Sequence, residues 1–260
     1  MEKLPARTGW IWVKEGFALF RRQPAEISAL FLGYMLLMIG VGIIPVIGQV
    51  LPLILVPVFA MAFMQACADI EQEKKVYPNL LLTGFRSPAF PRLLKLGVLY
   101  LIAAIVAVGA SALVDGGVFW NIMSGAQRLD EETIRRANLS TSMMVSALVY
   151  TPAAMAFWYA APLIAWQDMG VAKAIFYSFF AVRRSATAFI VYGLSWLAIG
   201  VLLPALASSI VALVFGRAFA VTVTVLTLSL ILTVIMYCSF YPTYTHVFGR
   251  PRPARPALPE

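Results

Sequence analysis

The chain has 260 residues, of which 61% are apolar and 12% charged, with a formal net charge of +8 and a mean hydropathy of +0.85. A water-soluble domain is roughly 45–50% apolar and about 25% charged; so few charged groups cannot cover so large a core, and lipid is the solvent this composition requires. The basic excess does not point to nucleic acid, because no RNA- or DNA-binding motif accompanies it, and basic groups flanking apolar spans face anionic lipid instead.

In chain order, the first element is TGWIWVKEGFALFRR, Thr8 to Arg22. Trp10, Val13, Phe17 and Phe20 recur at helical spacing and form one apolar stripe, while Lys14, Glu15 and Arg22 lie off it. This pattern predicts a helix lying flat at the membrane surface, apolar face down, and packing of the same helix on the protein's own bundle is compatible with it. Trp10, Trp12, Phe17, Phe20, Arg21 and Arg22 are its candidate interface residues, since tryptophan and arginine both suit the headgroup level.

Pro24 turns the chain into the first of six apolar stretches, each near the roughly 20 residues that a spanning helix needs. They cover about 27–44, 49–67, 94–114, 143–166, 187–214 and 218–241. The expected fold is all-α and polytopic: six transmembrane helices with interfacial amphipathic helices between them. Pro52 and Pro57 in the second span predict a packing kink or, alternatively, a hinge or break lining a cavity. Between the second and third spans, prolines 78, 88 and 91 leave room for one short surface segment around Asn79–Arg86. In the loop 115–142, RLDEETIRRANLS is expected to be helical, with Glu131–Arg135 and Glu132–Arg136 four apart. A second surface helix is expected at 170–184, with Ile175, Phe176, Phe179 and Val182 as its stripe; Phe176, Phe179, Arg183 and Arg184 are its candidate interface residues. RPRPARPALPE, residues 250–260, reads as a disordered basic Pro-rich tail.

Basic residues concentrate on the cytoplasmic side of spans. Of the twenty Lys and Arg residues, only Arg128, Arg135, Arg136 and Arg217 fall on one side of the six spans. Both termini are therefore expected in the cytoplasm. No A-x-A-like site follows the first apolar run, so that span is expected to stay in the membrane. Cys67 and Cys238, near the cytoplasmic ends of their spans, read as buried apolar residues rather than a disulfide or a metal site.

The chain carries an internal echo. Aligning Arg21-Arg22 on Arg183-Arg184 places Gly16-Phe17 on Ser178-Phe179, with Gly84-Phe85 as a looser third copy; Met61-Ala62-Phe63 and Met155-Ala156-Phe157 also match. Residues 1–249 thus read as one membrane domain of three units, about 8–70, 77–168 and 170–249, each a surface helix followed by a two-helix hairpin. The pattern GF-x-x-x-RR-x-P before a span, its echo SFFAVRR and the six-span layout resemble uncharacterised proteobacterial inner-membrane proteins. They are similar to the YciC-like proteins and to the membrane domain of some glycerophosphodiester phosphodiesterases. The resemblance implies a bacterial inner-membrane location and carries over no catalytic residue.

Catalytic patterns are missing from the sequence: no GxSxG, HExxH or phosphate-binding loop is present, and the single histidine, His246, has no carboxylate or cysteine beside it in sequence. Ionisable residues deep in a span mark function by default; here Glu26, Asp69, Asp115 and Asp168 fall at span ends. The expectation is a protein without enzymatic activity, cofactor or metal, whose partners are membrane lipids, with anionic headgroups on the cytoplasmic side, or another membrane protein. The alternative is a transporter or channel for a small neutral or lipid-like solute, its cavity lined by Gln49, Gln65, Ser146 and Thr151.

Overall fold

A computed structural model describes residues 3–44, 47–123, 139–215 and 224–251. The expected helix around Glu131–Arg136 and the tail beyond Pro251 lie outside these residues. The described chain is helical, with no strand. Its elements are α1 (Thr8–Arg22), α2 (Pro24–Gly42), α3 (Ile47–Glu71), a 3-10 turn (Pro78–Leu82) continued by α4 (Thr83–Arg86), and α5 (Phe90–Asp115). Then follow α6 (Val118–Met123), α7 (Leu139–Phe157), α8 (Ala160–Trp166), α9 (Val171–Arg184), α10 (Ala186–Phe215) and α11 (Leu226–Phe248). Six of these, with α7 and α8 counted as one, are long and apolar enough to cross a membrane. The molecule is a polytopic helical membrane protein.

Local chemistry sets the boundaries. Pro24 opens α2, where its missing N–H costs nothing, and Arg21 and Arg22 close α1 against the negative end of its dipole. Each hairpin's second span ends in a left-handed residue: Glu73 (φ 59°) after α3, Asp168 (φ 51°) after α8 and Gly249 (φ 83°) after α11. At the first two, a backbone bond one or two residues wider than the helical pattern closes the helix end, Lys74 N–H to Asp69 O at 2.9 Å and Met169 N–H to Leu163 O at 3.3 Å. The last span continues beyond the expected end at 241, to Phe248; its described part begins at Leu226. Its final turns, with Tyr241, Thr243, Tyr244 and His246, are too polar to register as a span; they stay helical because Tyr241 to Tyr244 are all buried against neighbouring helices.

The spans divide into an inner and an outer set. Of the most apolar window of each, 56% is buried in α3, 39% in α7–α8 and 44% in α11, against 17% in α2, 17% in α5 and 6% in α10. The inner three are the second spans of the three hairpins, and the outer three are the first spans. Packing between units follows one rule three times. The surface helix of each unit lies across both spans of the preceding unit, and the first unit's helix closes the ring onto the last: α1 rests on α10 and α11, the 3-10 turn and α4 on α2 and α3, and α9 on α5 and α7.

The small residues aligned in the sequence stand at these crossings. A Cβ on Gly16 would lie 2.6 Å from Cβ of Ser239 on α11, and one on Gly84 would collide with the carbonyl of Val58 on α3. Ser178 on α9 is fully buried against α7 and α8. Small side chains are what allow two helices to approach this closely in a membrane.

The linkers are tied down at the same end of the bundle. Gln23 accepts from Val76 N–H at 3.0 Å and donates to Lys74 O at 2.6 Å. Arg92 pairs with Asp168 and donates to Met169 O. Glu71 accepts from the Tyr241 hydroxyl at 2.7 Å and from Arg250 at 2.9 Å, and its carboxylate holds the Arg250 guanidinium above its ordinary pKa.

Candidate functional site

Prolines in spanning helices disturb backbone hydrogen bonding, and the inner helices show two places where a side chain from another helix steps in. The break expected as an option in the second span falls in the fourth. α3 runs unbroken through Pro52 and Pro57, whereas α7 and α8 separate at Trp158 and Tyr159, before Pro162. Ser178 Oγ occupies the gap, accepting from Tyr159 N–H at 2.9 Å and donating to Met155 O at 2.9 Å. One hydroxyl thus replaces a helical hydrogen bond between the two residues it separates. In α11, Pro242 has no N–H to offer the Cys238 carbonyl; the Cys67 thiol lies 3.9 Å from that oxygen and donates to it. Both cysteines are free and buried. Such substitutions keep irregular backbone satisfied where water is absent.

The broken span borders a cavity of 340 Å³ lined by α2, α3, α5, α7–α8 and α11. Its wall is aromatic: Tyr34, Phe59, Phe63, Tyr100, Tyr150, Phe157, Trp158, Tyr237 and Phe240, with Pro162 at the break and no charged side chain. The rings pack in tilted, stacked and edge-on pairs: Phe63 on Tyr237 at 4.7 Å, Tyr100 on Phe157 at 4.3 Å, and Trp158 on Phe240 at 5.1 Å. Each such pair contributes about 0.5–1.5 kcal/mol beyond its buried area. The Tyr100 hydroxyl donates to Phe157 O at 3.0 Å. The wall can receive a planar or apolar guest and offers hydroxyls but no ion.

The residues expected to line a polar cavity stand elsewhere. Gln65 donates to Asp69 Oδ1 at 2.9 Å and faces a shallow crevice beside Thr83 and Trp166. Thr151 is exposed and donates to Ala147 O within its own helix. Ser146 is buried among the helices, and the Gln49 side chain lies outside the described residues. The available signal in the sequence was a set of tyrosines, 34, 100, 150 and 237, standing inside spans instead of at their ends, where aromatic belts belong.

The interface residues separate by face. On α1, Trp12 is turned fully inward and sits on Phe189 (5.1 Å) and Tyr192 (5.9 Å) of α10, near the His246 ring (6.4 Å). Glu15 on the same side contacts His246 Nε2 at 3.1 Å. The inward stripe is Gly9, Trp12, Val13, Gly16 and Leu19. Trp10, Arg21 and Arg22 are exposed, and Phe17 and Phe20 are half-buried. Between α1 and α10 runs a groove of 750 Å³ whose rim carries Trp10, Lys14, Phe17 and Arg21.

On α9 the inward residues are small, Ala174, Ser178 and Ala181 together with Val182, so its aromatic residues turn out. Phe176 is 59% exposed and Phe180 46%; their rings meet at 4.6 Å, and Phe179 is half-buried beside them. Arg183 and Arg184 follow, both exposed, and Lys173 lies over the Tyr177 ring at 5.9 Å. The described residues hold no group of three or more His, Cys, Asp or Glu side chains placed to bind a metal ion.

Comparison with known proteins finds the probable inner membrane protein BTH_II0599 of Burkholderia thailandensis, 38% identical over 262 residues, spanning 99% of this chain and 97% of that one. The chain belongs to that protein's family. The match is full-length, so the six spans and the three surface helices all fall within the family's shared region. No family model matches the chain, which leaves the likeness to YciC-like proteins and to phosphodiesterase membrane domains without support, and no solved structure matches it.

Proposed function

We propose that this is a non-enzymatic integral protein of the bacterial inner membrane that associates with lipids, chiefly anionic ones on the cytoplasmic side, through its surface helices. The observation that carries this reading is the outward face of α9: Phe176, Tyr177 and Phe180 are exposed although apolar neighbours are a turn away, and Lys173, Arg183 and Arg184 flank them. An aromatic face of this kind is stabilised by the headgroup region, and each basic residue near an anionic surface adds about 1 kcal/mol. Membership of a family with a probable inner membrane protein supports the compartment.

In a bilayer mixing phosphatidylglycerol and phosphatidylethanolamine, spin-labelled phosphatidylglycerol should be enriched around the full-length protein at low salt. The double variant Arg183→Gln/Arg184→Gln should lose several-fold of that selectivity. Equal enrichment of both lipids around the wild type sinks the reading.

The proposed orientation places both termini in the cytoplasm, supported by the bias of basic residues toward one side of the spans. An alkaline phosphatase fusion after Glu260 should be inactive and a green fluorescent fusion bright; the reverse pattern refutes this orientation.

A second reading, transport or binding of a small uncharged solute, is favoured by the aromatic cavity of 340 Å³ around the broken span. Cavities of about 300–1,000 Å³ are typical of small-molecule sites. A non-lipid molecule that copurifies with the wild type and is lost on Ala154→Trp would favour it over the first reading.

A further inference from the structure

We propose that the groove between α1 and α10 is a specific site for one anionic glycerophospholipid, its phosphate held by Lys14 and Arg21 and an acyl chain laid along α10. This deepens the lipid-associating reading above and rests on it.

The groove is built from two helix faces of opposite character. Trp10, Lys14, Phe17 and Arg21 follow one another at four, three and four residues, so they form a single stripe of α1. The opposite stripe is fully used by the bundle, with Trp12 and Gly16 packed on α10 and α11. Facing this rim, α10 presents Ser195, Ala198, Ile199, Leu202, Leu203 and Leu206, again one helical face. The Ser195 hydroxyl is already donated to Val191 O at 2.7 Å, so the floor offers a ligand only hydrocarbon.

Charge selects the ligand. Lys14 and Arg21 are both exposed, and neither has an ion-pair partner among the described residues. The nearest carboxylate on α1, Glu15, is engaged by His246 on the far side of the helix. Two helical turns, about 10 Å, separate the two cations. Arginine can grip a phosphate with two parallel N–H donors, and lysine adds a mobile point charge.

Depth agrees with this assignment. Gly9 and Trp12 meet α10 at Ala188 to Tyr192, about 3–9 Å along it from Ala186. The rest of the groove runs deeper, to Leu206. An amphiphile with its head at α1 would therefore lay its tail where α10, the least buried span, borders lipid. A soluble phosphate would leave the leucine floor unused, and an apolar helix of a partner protein would leave both cations unpaired.

The test is native mass spectrometry of the full-length protein, purified in mild detergent and exposed to an equimolar mixture of phosphatidylglycerol and phosphatidylethanolamine. The wild type should keep one phosphatidylglycerol, preferred by up to about thirty-fold for two basic contacts. Lys14→Gln/Arg21→Gln should reduce the preference to near unity, and Ala198→Trp, which fills the floor without changing charge, should abolish retention of either lipid. Lys95→Gln, on α5 and outside the groove lining, should retain the bound lipid as the wild type does. Thermal unfolding of each variant reports whether it is folded, and Ala198→Trp provides a second route if the charge variant is not. Undiminished retention in a folded charge or groove-filling variant overturns the site, as does a groove occupied by a second protein chain. In that event the spin-label selectivity, which reads α9, still decides the broader lipid-associating reading by itself.

Discussion

Ser178 shows how much one side chain decides in a medium without water. Its hydroxyl takes the Tyr159 N–H and supplies the Met155 carbonyl, two groups that an unbroken helix would pair with each other. Ser178→Ala should strand both, at about 1–3 kcal/mol for a buried unsatisfied group, whereas Ser178→Thr keeps the hydroxyl and should recover part of the loss. Unfolding by denaturing detergent in mixed micelles measures the difference; an alanine variant as stable as the wild type would show that the break is satisfied in some other way. The sequence contained Ser178 and Pro162 but gave no sign that they belong to one device, because 16 residues and a turn separate them. Trp12 teaches the same lesson from the other side. Its amphipathic ring suits an interface, and only the presence of Phe189, Tyr192 and His246 around it makes it core.

Among the elements, the surface helices were the most legible feature. The predicted helix 8–22 is observed over those residues, and the second, expected at 170–184, runs from Val171 to Arg184. The direction each residue faces was less legible: Trp12 on α1, read as an interface residue, and Val182 on α9, read as part of a membrane-facing stripe, both turn inward. On α9 the bundle takes the small stripe, Ala174, Ser178 and Ala181, and leaves Phe176 and Phe180 outside. Close helix approach rewards small residues more than large ones when both sides are apolar and lipid competes for the large ones. Gly16 tests this. Gly16→Leu would drive Cβ to within 2.6 Å of Ser239 Cβ, a contact made with α11 itself. Gly40→Leu on α2 meets nothing within 4 Å. The first should cost several kcal/mol as overpacking and release α1 to protease. The second should be neutral or stabilise by up to about 1 kcal/mol, since leucine is the better helix former. Equal stability of the two variants would mean that α1 is not docked as described.

For the molecule as a whole, the ring of three units explains both why its interior is aromatic and why its outside is uneven. Each surface helix bridges two spans of its predecessor, so the inner helices are held on several sides while α10 is held chiefly by α1. That asymmetry leaves the groove on α10 open. The aromatic cavity lies where the inner helices meet α2 and α5, beside the one inner span that is broken. Glutamine, serine and threonine were the natural sequence candidates for a lumen because polar groups in spans attract notice. Among the described residues, Gln65 is spent on the Asp69 carboxylate and Thr151 on its own helix, and mid-span tyrosines line the cavity.

Composition, hydropathy and the placement of charge determined by themselves that lipid surrounds this chain, how many times it crosses, and where its amphipathic helices lie. These properties depend on residues close together in the chain and on a solvent that rejects unpaired backbone. Which face of each helix looks inward, which proline breaks its span, and where cavity and groove open were decided only by the tertiary structure. Those outcomes depend on partners such as Gly16 with Ser239, Ser178 with Tyr159, and Cys67 with Cys238, which are far apart in sequence and meet only when the three units close on one another.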